Sequence, residues 1–257
     1  MNRIEQINKI REKLRSDSIS IGSWMQIPHA SIAEIMGQCG FDWVAVDMEH
    51  GAIGHHQLPD IFRALELGTA LPLVRLSEGK NKECKQALDA GAGGVIVPMI
   101  ETDDELRSVR DACRWPPAGT RGVGFSRANL FGENFEVYRQ EAQNPLLVAM
   151  IENSKAVGNL EKILSVEGLD AIMIGPYDLS ASLGVTAKFD DPVFIDAMSE
   201  ILKLAEQKKI PCGIHIVAPK YEELQKRIAE GYRFIAYSID ALFLRAGAQE
   251  AFKREDI

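Results

Sequence analysis

A (β/α)8 barrel of the TIM type is predicted by three features of this 257-residue sequence. Eight short β-rich runs recur along it, each is followed by a turn and a stretch of helical apolar spacing, and most runs are continuously apolar. Continuous rather than alternating apolarity marks parallel strands covered on both faces. The length suits a single barrel domain spanning 1–257, and no composition shift or low-complexity tract marks a boundary within it.

The candidate strands are 19–25, 43–48, 71–76, 94–98, 146–151, 170–174, 211–216 and 233–238. Before the first, Ile4, Ile7 and Ile10 stand in helical register among charges, predicting a short amphipathic N-terminal helix rather than a signal peptide. Leu58, Ile61, Phe62 and Leu65 form an apolar stripe after the second run. Thr102 and Glu105 make a capping box ahead of Leu106, Val109 and Cys113, so that side chains satisfy amides the helix cannot. Asp191 and Pro192 open a helix with Phe194, Met198, Ile201 and Leu204 on one face. Pro219 opens another, expected to turn Tyr221, Leu224 and Ile228 inward. Roughly 47 residues separate the fourth and fifth runs, about twice the usual spacing here. The surplus carries Trp115, Phe125, Phe131, Phe135 and Tyr138 with Arg121 and Arg127, so it is expected to be ordered, either over the active site or against another subunit.

An excess of 37 acidic over 29 basic residues, net −8, disfavours nucleic acid and anionic membranes as partners. No run approaches the roughly 18 apolar residues that span a bilayer, so a soluble cytoplasmic protein is expected. Cys39, Cys84, Cys113 and Cys212 lack the spacing of a zinc or redox pair and read as buried free thiols.

Reacting groups in such a barrel project from the C-terminal ends of the strands. Those positions hold Asp47, Glu49, His50, Arg75, Glu152, Asp178, His215 and Asp240. Charges closing apolar runs are costly to bury unless paired or metal-bound. Glu152 and Asp178 follow adjacent strands and could share a hard cation, magnesium or manganese, although each could instead cap the next helix. His50, its ring oriented by Asp47, is the candidate for proton transfer. Arg75 could hold an enolate oxygen or a carboxylate, or simply bridge the mouth as a salt bridge. His215 is left open between lining the pocket and packing beneath it; His55 and His56 read as surface or capping residues.

The segments DWVAVDMEHG (42–51), LVRL (73–76), VPMIET (97–102), PPAGTRGVG (116–124), MIEN (150–153) and IGPYDLSASLG (174–184) resemble, in order, the HpcH/HpaI family of class II pyruvate aldolases. The resemblance implies a divalent-metal-dependent aldolase that reversibly cleaves a 4-hydroxy-2-oxo acid to pyruvate and an aldehyde. It places the metal, magnesium or manganese with cobalt as an alternative, on Glu152 and Asp178. It places the base on His50 with Asp47, the enolate-stabilising group on Arg75, and the pyruvate carboxylate on backbone amides of Tyr177 and Asp178. It also implies a homo-oligomer, commonly a hexamer that exchanges a C-terminal helix, for which Ala241 to Leu244 are suitably apolar. Met150 stands where better-known heptanedioate aldolases have Gln, and Tyr177 where they have a small residue. Both alter the substrate lining, so their dicarboxylate acceptor is not carried over.

No lysine ends any of the eight runs, which argues against Schiff-base chemistry. The turns after the last two strands lack the glycines of a phosphate cradle. The rivals are an acyl-CoA lyase of the same superfamily and a non-catalytic barrel serving in binding or assembly.

Overall fold

The computed structural model describes residues 2–252. In chain order the elements are α1 (Arg3–Arg15), β1 (Ser20–Met25), α2 (Ala30–Gln38), β2 (Trp43–Asp47), α3 (Leu58–Leu65), β3 (Leu71–Arg75), α4 (Asn81–Ala90), β4 (Gly94–Val97), α5 (Asp103–Cys113) and α6 (Phe135–Ala142). They continue with β5 (Leu146–Ile151), α7 (Ser154–Gly158), α8 (Leu160–Leu164), β6 (Ala171–Ile174), α9 (Pro176–Ser182), α10 (Pro192–Lys208), β7 (Cys212–Ile216), α11 (Tyr221–Ala229), β8 (Phe234–Ile239) and α12 (Asp240–Gln249). The strands close into a barrel in sequence order, every neighbouring pair parallel. Each predicted run became a strand.

Because successive strand residues point to opposite faces, the apolar residues divide into two cores. Val44, Val46, Val74, Val95, Val97, Ala149, Ile151, Ile172, Ile174, Ile214 and Ile216 face the helices. Trp24, Trp43, Ala45, Leu73, Ile96, Val148, Met150, Met173 and Ala236 fill the barrel interior. The N-terminal helix joins this second core through Ile7, Ile10 and Leu14, so α1 stoppers the end of the barrel where the strands begin. Trp43 stacks on Phe234 with ring centroids 4.4 Å apart. A Cβ at Gly22 would lie 2.0 Å from that indole, so only glycine fits beneath it.

The helix signals hold where a cap is written into the sequence. Thr102 accepts from the Glu105 amide at 3.2 Å while Glu105 accepts from Thr102 N, and Asp191 accepts from Val193 N at 3.0 Å. Of the three residues expected to turn inward on α11, Leu224 is buried and Ile228 packs part-buried against the outer core, but Tyr221 departs from expectation and is 64% exposed. Cys39 likewise is exposed, lying at the C-terminal cap of α2, whereas Cys84, Cys113 and Cys212 are buried. Of α12 only Asp240 is buried; Phe243 packs on Phe41 and Tyr237 while Leu244 stays exposed.

The long interval between α5 and β5 is ordered, but it does not cover the active-site end of its own barrel. It joins the end of a helix to the start of a strand, which puts it at the opposite face. Arg127 donates to Ala90 O at the end of α4 and pairs with Glu66 just after α3. Arg121 is fully buried, bonded to Tyr138 Oη at 3.0 Å and paired with Asp89, between Trp115 and Tyr138. Both arginines are therefore anchored within the fold, although Arg121 Nε is buried without a partner among the described residues. Among the described residues no helix is long and apolar enough to cross a membrane.

Candidate active site

Extending the inward-facing rows by one step builds the mouth. Ala45 is followed two residues on by Asp47, Leu73 by Arg75, Met150 by Glu152, Met173 by Gly175 and Gly213 by His215. The apolar interior thus ends in a polar ring, and Met150 lies in the layer under it, 4% exposed.

Asp47 and Arg75 are register partners on β2 and β3. The guanidinium donates from Nε at 2.8 Å and Nη2 at 2.6 Å to the two oxygens of Asp47, which is wholly buried. Gln26 Nε2 adds a third bond at 2.7 Å, and the backbone amides of Glu49 and His50 donate at 3.1 and 3.2 Å. Burial alone would raise Asp47, but Arg75, Gln26 and the His50 amide together hold its pKa below the ordinary carboxylate value. Arg75 also lies over the Trp24 indole, 4.5 Å from its centroid, and its Nη1 is 3.2 Å from Glu49 Oε2.

The expected Asp47–His50 ring contact is not formed. Asp47 reaches the backbone of His50, fixing the turn, while the imidazole is exposed with Nε2 3.9 Å from Glu49 Oε2. Glu49, to which the sequence reading gave no role, is the acid nearest that ring. Asp240 is likewise structural: it accepts from the amides of Gln26 and Ile27 at 3.0 and 2.8 Å. His55 pairs with Glu83 at 3.3 Å, away from the ring.

Glu152 is 2% exposed and is not a helix cap, since Asn153 caps α7 by accepting from Ala156 N. One of its oxygens accepts from Met99 N at 2.5 Å. The other lies where a Cβ on Gly175 would sit, 2.6 Å away, so the glycine makes room for the carboxylate. Burial pushes Glu152 up to about 7, with Glu49 and Asp178 adding to the rise and the Met99 amide and Arg75 opposing it. Glu49 is also raised, by burial first, against the pull of Arg75 and His50. Asp178, exposed in the first turn of α9, thus shares a field with both glutamates. Tyr177 beside it is 55% exposed and stands edge-on to Phe189, centroids 5.1 Å apart.

Among the described residues no group of three or more His, Cys, Asp and Glu side chains could itself enclose a metal ion. The acids nonetheless fit a divalent cation. Asp47 is neutralised by Arg75, which leaves Glu49, Glu152 and Asp178 in mutual repulsion beside the same guanidinium. A hard cation bound by two carboxylates and completed by water and substrate relieves that repulsion.

The profile of the HpcH/HpaI aldolase/citrate lyase family matches residues 20–246. The chain belongs to that family. It is 35% identical over 252 residues to the hydroxypyruvate/pyruvate aldolase of Roseobacter denitrificans, covering 96% of this chain and 97% of that protein. To the 4-hydroxy-2-oxovalerate aldolase of Novosphingobium aromaticivorans it is 34% identical, covering 96% and 94%. The crystal structure of a family member from Burkholderia cenocepacia superposes with a TM-score of 0.89 at 30% identity, over 96% of this chain and 98% of that one. As a member of this family the protein is an enzyme acting on carbon–carbon bonds.

Proposed function

We propose that the protein is a divalent-metal-dependent aldolase that reversibly cleaves a 4-hydroxy-2-oxo acid to pyruvate and an aldehyde. The observation that carries this reading is the buried Glu152, raised to about 7 and flanked by Asp178 and Glu49 at the barrel mouth. Glu152 and Asp178 would hold magnesium or manganese, with cobalt as a third candidate. A cation there supplies Lewis-acid polarisation of the keto oxygen.

Cleavage requires the electron pair of the C3–C4 bond to move toward C2 and its oxygen, so charge builds on that oxygen. Asp47 occupies Nε and one donor of Nη2, and Glu49 lies 3.2 Å from Nη1, which leaves one N–H on each of Nη1 and Nη2 of Arg75 for the developing oxyanion. Trp24 beneath the guanidinium keeps its plane fixed. At α9 the chain has no side-chain cap, and Pro176 has no N–H, so the amides of Tyr177 and Asp178 are free to receive the pyruvate carboxylate. His50 takes the C4 hydroxyl proton, the aldehyde departs, and a proton delivered to C3 of the enolate completes pyruvate. Asp47 serves His50 by fixing its turn, and Glu49 faces the imidazolium once it forms. Homo-oligomer assembly is part of the same proposal. Val123, Phe125, Leu130, Phe131 and Leu244 are all more than half exposed and supply apolar surface for it.

Exchange of the pyruvate methyl protons in deuterated water, followed by NMR, tests the reading without knowing the aldehyde. Exchange is expected with magnesium or manganese and is expected to stop in chelator. Absence of exchange with metal present discards the aldolase, and full exchange in chelator discards the metal. His50→Ala is expected to retain metal binding, measured by calorimetry, while cleavage of a 4-hydroxy-2-oxo acid slows by about 10²–10⁴-fold.

A further inference from the structure

His215 brings to the mouth a buried nitrogen that nothing in the chain uses. Cys212, Ile214 and Ile216 pack outward into the helical layer, so the alternation of β7 turns His215 into the barrel, level with Arg75 and Glu152. Its ring stands edge-on to Trp24, centroids 5.9 Å apart and planes at 79°, against the same indole that carries the Arg75 guanidinium. Burial and the charge of Arg75 push its pKa down to about 4, with the Ser238 backbone and Asp47 opposing them. The imidazole is therefore neutral at physiological pH. A backbone contact that raises a histidine's basicity is one in which the ring donates, so the Ser238 carbonyl takes its proton. Ser238 lies at a register shift within β8, with a φ of 59°, and its carbonyl also accepts from Ser23 Oγ at 3.2 Å. With one ring nitrogen engaged there, Nε2 keeps its lone pair, buried and without a partner among the described residues. A buried acceptor of this kind costs free energy until a donor meets it.

The chemistry of the reaction narrows the donor. Pyruvate has a methyl group, a ketone and a carboxylate, and offers no hydrogen-bond donor. The C4 hydroxyl of the aldol is committed to His50 on the reading above. Among the atoms of the substrate, the remaining donors belong to the carbons beyond C4, which derive from the aldehyde; water, including water on the cation, is the competing donor that the test below separates.

We propose that His215 Nε2 accepts a hydrogen bond from a hydroxyl on the aldehyde-derived part of the substrate, so that the acceptor is a hydroxyaldehyde rather than a plain aliphatic aldehyde. This rests on the aldolase reading and adds the acceptor's chemical class to it. His215 is then a specificity-determining residue: its lone pair favours a donor at that position and leaves a methyl group there unrewarded.

Glycolaldehyde and propanal test this as a matched pair, since they differ by a hydroxyl in place of a methyl. Their kcat/KM values for addition to pyruvate are measured in the full-length protein with magnesium or manganese. Glycolaldehyde is expected to lead by about 10-fold or more, and His215→Leu to bring the ratio down toward unity. His215→Gln, whose amide oxygen can accept, should keep part of the preference, and it carries the test if the leucine variant does not fold. A wild-type ratio near unity overturns the assignment and marks Nε2 as the seat of a water. An unchanged ratio in His215→Leu, or parallel losses with both aldehydes, also overturns it, since a purely structural histidine would act on both alike. Pyruvate proton exchange needs no aldehyde: its absence in the wild type removes the aldolase itself, whereas exchange without hydroxyl preference removes only the role of His215.

Discussion

Glu152→Gln and Asp178→Asn are each expected to abolish metal-dependent turnover. Either removes one of the two carboxylates proposed to hold the cation, so the drop in metal affinity should exceed the roughly 10–100-fold that accompanies loss of an outer-shell partner. The pH dependence follows from Glu152, which burial, reinforced by Glu49 and Asp178, lifts from 4.5 to about 7. Below that value the carboxyl is largely protonated, and a metal must displace the proton. Affinity for magnesium should accordingly rise steeply up to about pH 7 and level off above, with a proton released that calorimetry in two buffers detects. Stability runs the other way. A folded-state pKa raised above the unfolded value contributes stability fully present below about pH 4.5, and that contribution is lost as pH rises through about 7. The metal-free protein should therefore melt at lower temperature at about pH 8 than at about pH 5.5. Added metal, or Glu152→Gln, should remove most of that slope. Turnover by both variants at the wild-type rate would falsify the shared-cation site.

What was legible in the sequence and what was not divide along one physical line. Strands such as 146–151 were legible because a parallel strand buried on both faces must be apolar throughout, and charges at the close of such runs marked Asp47, Arg75 and Glu152. Which side chain each charge meets was not legible. D-x-x-H suggests a contact between neighbours, yet alternation sends Asp47 inward while the chain turns at Gly51, where a Cβ would lie 2.2 Å from Asp47 O. His50 is carried outward by that turn, and Asp47 finds Arg75 on the next strand, 28 residues away. The role of Gly175 was equally hidden, because a missing side chain shows its use only once Glu152 lies over it. An alternation count from Met173 would have placed it in the ring. The long interval before β5 advertised order through its aromatics, but its position follows from connectivity: a segment leading into a strand lies at the end where strands begin.

Arg75→Ala is expected to injure the protein twice, and the two injuries can be separated. Removing the guanidinium leaves Asp47, 0% exposed, as a buried charge whose remaining partners are Gln26 and two backbone amides. Breaking a buried pair from one side costs about 3–5 kcal/mol, which denaturant unfolding at neutral pH should show. Burial would raise Asp47, and Arg75 is the main influence that holds it below 3.8. The stability this depression confers is present above that pH and lost in acid, so the gap between wild type and Arg75→Ala should narrow as pH falls through about 4 and below. Catalysis should fall by a further 10²–10³-fold or so, the usual effect of losing a preorganised donor to a developing oxyanion. Arg75→Ala combined with Asp47→Asn removes the stranded charge and should recover stability relative to Arg75→Ala alone while remaining as slow. Arg75→Lys keeps a cation for Asp47 but not the planar fork, so it should recover stability better than turnover. If the double variant regains rate along with stability, Arg75 acts only as a brace for Asp47, and the oxyanion must find its stabilisation elsewhere in the mouth.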